Sequence, residues 1–119
     1  WSYVTEGLVN SVAISSDSSY VTAGDSNGRV YLFSRTSSTP LWSYMIGGTV
    51  RSVSISSDGA YIAAGSVTGK VCLFSFSSST PLWSYTTDWY VNSIAISSDG
   101  SYIATGNWDY KVYLFSRTS

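Results

Sequence analysis

The chain has 119 residues, 44% apolar and 16% aromatic, which is enough for one folded domain with a real core and excludes a disordered segment. Six basic and seven acidic residues leave a net charge of -1, with no electrostatic footprint for phosphate backbones or anionic lipid, so neither nucleic acid nor membrane surfaces are expected partners. Histidine is absent and cysteine occurs once, which excludes Ser-His-Asp triads, imidazole metal sites, thiolate clusters and any intrachain disulfide.

Trp1-Ser2-Tyr3 opens the chain as a short aromatic strand expected over residues 1–4, and it recurs as Trp42-Ser43-Tyr44 and Trp83-Ser84-Tyr85. Val9 to Ile14 follows, β-branched and small, closed by Ser15-Ser16-Asp17-Ser18. The later copies of that closure carry Asp58-Gly59 and Asp99-Gly100, and Asp-Gly between apolar runs is a hairpin signal. Tyr20 to Ala23 forms a second strand. Asp25 to Gly28 is a tight connector, expected to be a type I′-like turn, and leads to a third strand at Val30 to Phe33. Ser34 to Pro40 breaks the pattern before the next Leu-Trp-Ser-Tyr strand. Connections this short force consecutive strands to pair antiparallel in an up-and-down meander. No stretch carries a helical period, and the β-branched and aromatic content agrees with strands.

The same order returns at Val9, Val50 and Val91 and at Asp17, Asp58 and Asp99, a period of 41 residues without slippage. Repeats of that length belong to propellers or solenoids. Blade one is expected over 9–44, blade two over 50–85, and blade three over 91–116 with only its first three strands. The first strand of each unit carries small residues (Ser11 and Ala13, Ser52 and Ser54, Ser93 and Ala95), which suits a crowded position near a central axis. The Trp strand suits a roomy outer rim.

The segment SVAISSDGSYIATG with KVYLFS resembles the WD-repeat β-propeller pattern, and the Leu-Trp-Ser-Tyr strand is similar to pyrroloquinoline-quinone-type propeller repeats. The resemblance covers nearly the whole chain and implies an all-β propeller of four-stranded antiparallel blades, three per chain. It is confined to the scaffold and implies no quinone or other cofactor. The chain departs from the WD pattern in two ways. It has no histidine for the Gly-His pair, and Leu32-Phe33, Leu73-Phe74 and Leu114-Phe115 stand in place of Trp-Asp. The polar network of a WD blade is therefore expected to be absent or incomplete. Asp109 alone matches the family's structural Asp, with Asn27 and Thr68 in the other copies.

Propellers usually close with about 4 to 8 blades, so three do not close by themselves. A leading Trp strand without its blade and a last blade without its Trp strand are complementary edges. Two chains would then form a six-bladed ring, with Trp1, Ser2 and Tyr3 of each pairing beside Val112, Tyr113, Leu114 and Phe115 of the other. This homodimer is the expected assembly; a nine-bladed trimer, a fragment of a longer ring, and a recently amplified or engineered propeller are the alternatives.

The copies differ from one another mainly in two sets of connectors: Val4 to Leu8, Met45 to Thr49 and Thr86 to Tyr90, and Asp25 to Gly28, Ser66 to Gly69 and Asn107 to Tyr110. In a meander both sets lie at one end of the ring, so that loop face is the expected binding face. Its richest patch is Trp89, Tyr90, Trp108, Asp109 and Tyr110, aromatic rings beside a carboxylate that could hold a sugar or a peptide side chain; the plainer alternative is rings packed on each other. Arg51, Asn10 and Asn92 are expected around the channel mouth, able to hold an anion or water. Asp17, Asp58 and Asp99 read as turn caps, and Cys72, in a slot held elsewhere by Tyr31 and Tyr113, as an inert buried thiol. The expected role is structural or interactive and non-catalytic, with a lectin-like module as the competing reading. No apolar run approaches the roughly 20 residues of a membrane span and no signal peptide is visible, so the chain is expected to be soluble, with no compartment assigned.

Overall fold

Eleven strands alternate with short turns in a computed structural model that describes residues 1–118. β1 (Val9–Ile14), β2 (Tyr20–Asp25), β3 (Arg29–Ser34) and β4 (Trp42–Met45) form one antiparallel meander. β5 (Val50–Ile55), β6 (Tyr61–Ser66), β7 (Lys70–Ser75) and β8 (Trp83–Thr86) form the second. β9 (Val91–Ile96), β10 (Tyr102–Asn107) and β11 (Val112–Ser116) form a third sheet, of three strands among the described residues. The register repeats with the sequence: Val12 faces Ala23, Val53 faces Ala64 and Ile94 faces Thr105.

The turns explain the register. In the first, Ser18 N–H donates to Ser15 O at 2.9 Å, while Asp17 Oδ1 accepts from Ser19 N–H at 3.0 Å and from the Ser15 hydroxyl at 2.7 Å. The same bonds recur around Asp58 and Asp99. The turn after β2 differs from the type I′ expectation. Gly28 N–H donates to Asp25 O at 3.2 Å, and only Gly28 has a positive φ, so the turn ends on one left-handed residue instead of containing two.

The core lies in the seams between blades. Val30 and Leu32 of β3 meet Val50, Val53, Ile62 and Phe74 of the second blade. One repeat later Val71 and Leu73 of β7 meet Val91, Ile94, Ile103 and Phe115. β3 and β7 are therefore buried on both faces, which is why Val30 to Phe33 and Val71 to Phe74 are continuous apolar runs. The innermost strands are tied directly to one another. Val53 N–H donates to Ser11 Oγ at 3.1 Å, Ile94 N–H to Ser52 Oγ at 3.1 Å, and Ile96 N–H to Ser54 Oγ at 3.2 Å. The small residues of the first strand thus also satisfy the edge of the next blade.

Residues 1–4, expected as an aromatic strand, pair with no strand among the described residues of the single chain. Their side chains are nevertheless docked as those of β4 and β8 are. Trp1, Trp42 and Trp83 lie 5.1, 5.0 and 5.4 Å from Phe33, Phe74 and Phe115. Their Nε1–H groups donate to the carbonyls of Arg35, Phe76 and Arg117 at 2.7, 2.9 and 2.8 Å.

Candidate functional site

The loop face is built from β-bulges in the first strands and from the connectors of blade three. Asn10, Arg51 and Asn92 are each the extra residue of a β-bulge in the first strand of a blade, because Val9 pairs with Asp25 and Ser11 with Gly24, Val50 with Ser66 and Ser52 with Gly65, and Val91 with Asn107 and Ser93 with Gly106. A bulge turns the unpaired side chain out of the pleat. The three side chains are exposed beside one another. Arg51 Nη2 donates to Asn92 Oδ1 at 3.0 Å, and Asn10 Nδ2 lies 3.5 Å from Val50 O.

The connectors of blade three complete the patch. Asn107, the last residue of β10, holds the β8–β9 connector: its Nδ2 donates to Thr87 Oγ1 at 2.7 Å and lies 3.3 Å from Trp89 O, while its Oδ1 accepts from Thr105 Oγ1 at 2.9 Å. Trp108 N–H donates to Tyr90 O at 3.0 Å. So stapled, Tyr90 packs on Trp108 with ring centres 4.8 Å apart, and Trp89 stacks on Tyr90 at 6.0 Å. Trp108 Nε1–H donates to the same Asn92 Oδ1 that Arg51 uses, at 3.3 Å. Trp89, Tyr90 and Trp108 remain exposed despite packing on each other.

Five residues singled out in the sequence thus converge: Trp89, Tyr90, Trp108, Asn92 and Arg51. Asp109 is engaged elsewhere. Its Oδ1 accepts from Lys111 N–H at 3.0 Å and its Oδ2 from the Tyr113 hydroxyl at 2.6 Å, so the carboxylate closes its own turn. Tyr110 is fully exposed, with a φ of 67°, at the position occupied by Gly28 and Gly69 in the other blades. On β11, Tyr113 and Phe115 face blade two, where Phe115 meets Trp83 and Tyr85, while Val112 and Leu114 face outward and are exposed.

Asp25 was not among the candidates. Its buried carboxylate accepts from Asn27 N–H at 3.0 Å and Arg29 N–H at 2.9 Å through Oδ1, and from the Tyr31 hydroxyl at 3.0 Å through Oδ2. The signal that could have found it lies in the internal comparison: the two blades with a Tyr in the third strand each have an Asp in the preceding turn, and blade two, with Cys72, has neither. Burial and the bond to Asp25 push the Tyr31 hydroxyl up to about 12; the bond to Asp109 and burial do the same for Tyr113. Burial raises the Cys72 thiol to about 11, against a weaker opposing pull from Lys70, so it stays a thiol at neutral pH.

A recess of about 330 Å³ is lined by Ser19, Tyr20, Ser34, Arg35, Thr36 and Leu41, at the end of the blade opposite the variable loops. A second of about 250 Å³ repeats it at Ser101, Tyr102, Ser116, Arg117 and Thr118. Recurrence in matching positions marks both as products of the blade scaffold. Among the described residues no group of three or more potential metal ligands is present, and no helix is long and apolar enough to cross a membrane.

No curated protein sequence matches the chain. Among solved structures, the β-propeller domain of Cps50 (Swd1) from Myceliophteria thermophila superposes with a TM-score of 0.87 at 14% identity, over 98% of this chain and 36% of that one. The chain therefore spans about a third of that structure, and at such identity the likeness speaks for the fold alone. The sequence pattern of the WD domain, G-beta repeat, matches residues 3–34, 40–75 and 79–116. Each match runs from the aromatic rim segment to the end of the third strand, the frame in which the side-chain docking described above also repeats. With three matches covering most of its length, the chain belongs to the WD-repeat family.

Proposed function

We propose that the chain is a non-catalytic interaction scaffold that completes its propeller with a second copy of itself, each lending Trp1 to Val4 as the missing fourth strand of the other's third sheet. The observation that carries this reading is the state of the two edges. Trp1 and Tyr3 sit against Phe33 as Trp42 and Tyr44 sit against Phe74, yet their backbone has no strand to pair with. Among the described residues β11 meanwhile pairs with β10 only, and its other edge has no strand beside it. Unpaired strand edges invite pairing, and head-to-tail contacts that close after two steps give a finite dimer. Native mass measurement on the 119-residue chain tests it. A mass of two chains is expected, reduced to one by Trp1→Ala with Tyr3→Ala; a single-chain mass for the unaltered protein at micromolar concentration sinks the reading, and a three-chain mass replaces it with a nine-bladed ring.

A second reading is favoured by the ring ladder Trp89-Tyr90-Trp108, which stays exposed while its connectors are fixed by Asn107 and Asn92. A rigid aromatic platform edged by amides suits the apolar face and hydroxyls of a sugar. Glycan-array binding lost in Trp89→Ala and Trp108→Ala supports this lectin-like role; no binding by the unaltered protein removes it.

A further inference from the structure

Gly24 and Gly65 stand at equivalent places in β2 and β6, and each leaves a hollow filled by the next blade. A methyl group added at Gly24 would lie 2.3 Å from Val50 Cγ1, and one added at Gly65 would lie 2.3 Å from Val91 Cγ1. The third member of the series, Gly106 on β10, has nothing within 4 Å of that position. The third member of the Val series, Val9, is half exposed, whereas Val50 and Val91 are fully buried. We infer that the outer face of blade three is a docking surface for the leading face of blade one in a second copy, with Val9 of that copy entering the hollow at Gly106. This rests on the strand-lending assembly proposed above and names the faces that meet when it closes.

The rest of the two faces carries the same complementarity. Val112 and Leu114 are exposed, while their counterparts Val30, Leu32, Val71 and Leu73 are wholly buried in the internal seams. Val12, 65% exposed, corresponds to the buried Val53 and Ile94. Ser11 and Ser52 accept the N–H groups of Val53 and Ile94. The next serine in line is Ser93, and the next N–H is that of Val12 in the second copy. The occupant is a second copy because these two faces are successive members of one internal series: the hollow, the knob and the hydroxyl of each seam recur at the free ends.

Two positions depart from the internal seams. Tyr20 and Tyr61 lie so close to Gly59 and Gly100 that a methyl group there would come within 2.3 and 2.4 Å of the rings; in the closing seam the matching place opposite Tyr102 falls to Ser18 of the second copy. Gly28 and Gly69 lie against the connector carbonyls of Gly48 and Thr87, but Tyr110 stands in that place on blade three. The closing seam therefore holds the incoming connector farther off at the loop end. Tyr110→Gly removes the obstruction and tightens the association.

The test is native mass measurement on the 119-residue chain and its variants. Gly106→Val meets no neighbour within the single chain, so its far-ultraviolet circular dichroism should match that of the unaltered protein while its mass falls from two chains to one. Adding Val9→Gly to Gly106→Val moves the knob to the other side of the seam and should return the two-chain mass. A two-chain mass that survives Gly106→Val, while Trp1→Ala with Tyr3→Ala abolishes it, overturns the docking surface and leaves strand lending intact. Loss of the dimer in Gly106→Val without recovery in the double variant overturns Val9 as the occupant. A one-chain mass for the unaltered protein overturns the assembly itself and this surface with it.

Discussion

The Tyr113 hydroxyl donates to Asp109 Oδ2 at 2.6 Å, and Tyr31, at the same place in its own blade, donates to Asp25 Oδ2 at 3.0 Å, although the two carboxylates stand two positions apart in the repeat. Asn27 occupies the Asp109 position in blade one, and Asn107 the Asp25 position in blade three. Either site lets a carboxylate reach both the turn N–H groups and the phenol. Where the phenol is missing, at Cys72, the turn uses Ser66 and Thr68, whose hydroxyl oxygens lie 2.6 Å apart.

Removing Asp25 takes the acceptor from the hydroxyl of Tyr31, a residue only 2% exposed, and from two turn N–H groups. Asp25→Ala should cost about 1–3 kcal/mol, the usual loss for leaving buried polar groups unpaired. Asp25→Asn with Asn27→Asp rebuilds the blade-three arrangement and should recover most of that loss. Urea denaturation measures both; a double variant no more stable than Asp25→Ala refutes the exchange.

The same pairs predict alkaline behaviour. Tyr31 and Tyr113 hold their protons to about 12, above the ordinary phenol near 10. The folded state therefore binds these protons more tightly than the unfolded chain. The contribution is complete below pH 10 and is lost as pH rises through 12. Phenolate absorbance should show two late-titrating tyrosines, one of which disappears in Tyr113→Phe.

At the acid end the sign reverses. Backbone N–H groups of Ser19 and Ser101 hold the carboxyls of Asp17 and Asp99 below their usual value. Their contribution is present above the ordinary carboxylate range and is lost as pH falls through the lowered folded values. Asp17→Asn with Asp99→Asn keeps an acceptor in each turn and should flatten the acid limb of stability against pH, read from thermal melts.

Between blades, Ser52→Ala takes the acceptor from Ile94 N–H. A loss of about 0.5–1.5 kcal/mol is expected, typical of one such bond. Hydrogen exchange at Ile94 should accelerate while Val53, held by Ser11, keeps its protection. Equal acceleration at both amides would show that the serines do not link the blades individually.

The period at Val9, Val50 and Val91, the Asp17-type turns and the apolar run of β3 were legible in the sequence, because each follows from neighbours along the chain: a turn residue caps its own backbone, and β-branched and aromatic residues in succession favour a strand. Family resemblance marked Asp109 as structural, and the position differences placed Trp89 and Trp108 on one face. Three features depended on tertiary structure. The Ser11 and Ser52 hydroxyls serve the next blade's N–H groups, Asp25 exchanges roles with Asp109, and Trp1 docks by its ring although its backbone forms no strand. Each depends on groups brought together from different parts of the repeat or from different blades, at distances set only once the sheets pack face to face. A hydrogen bond across a seam leaves no local pattern in the sequence, and a strand exists only where another strand lies beside it.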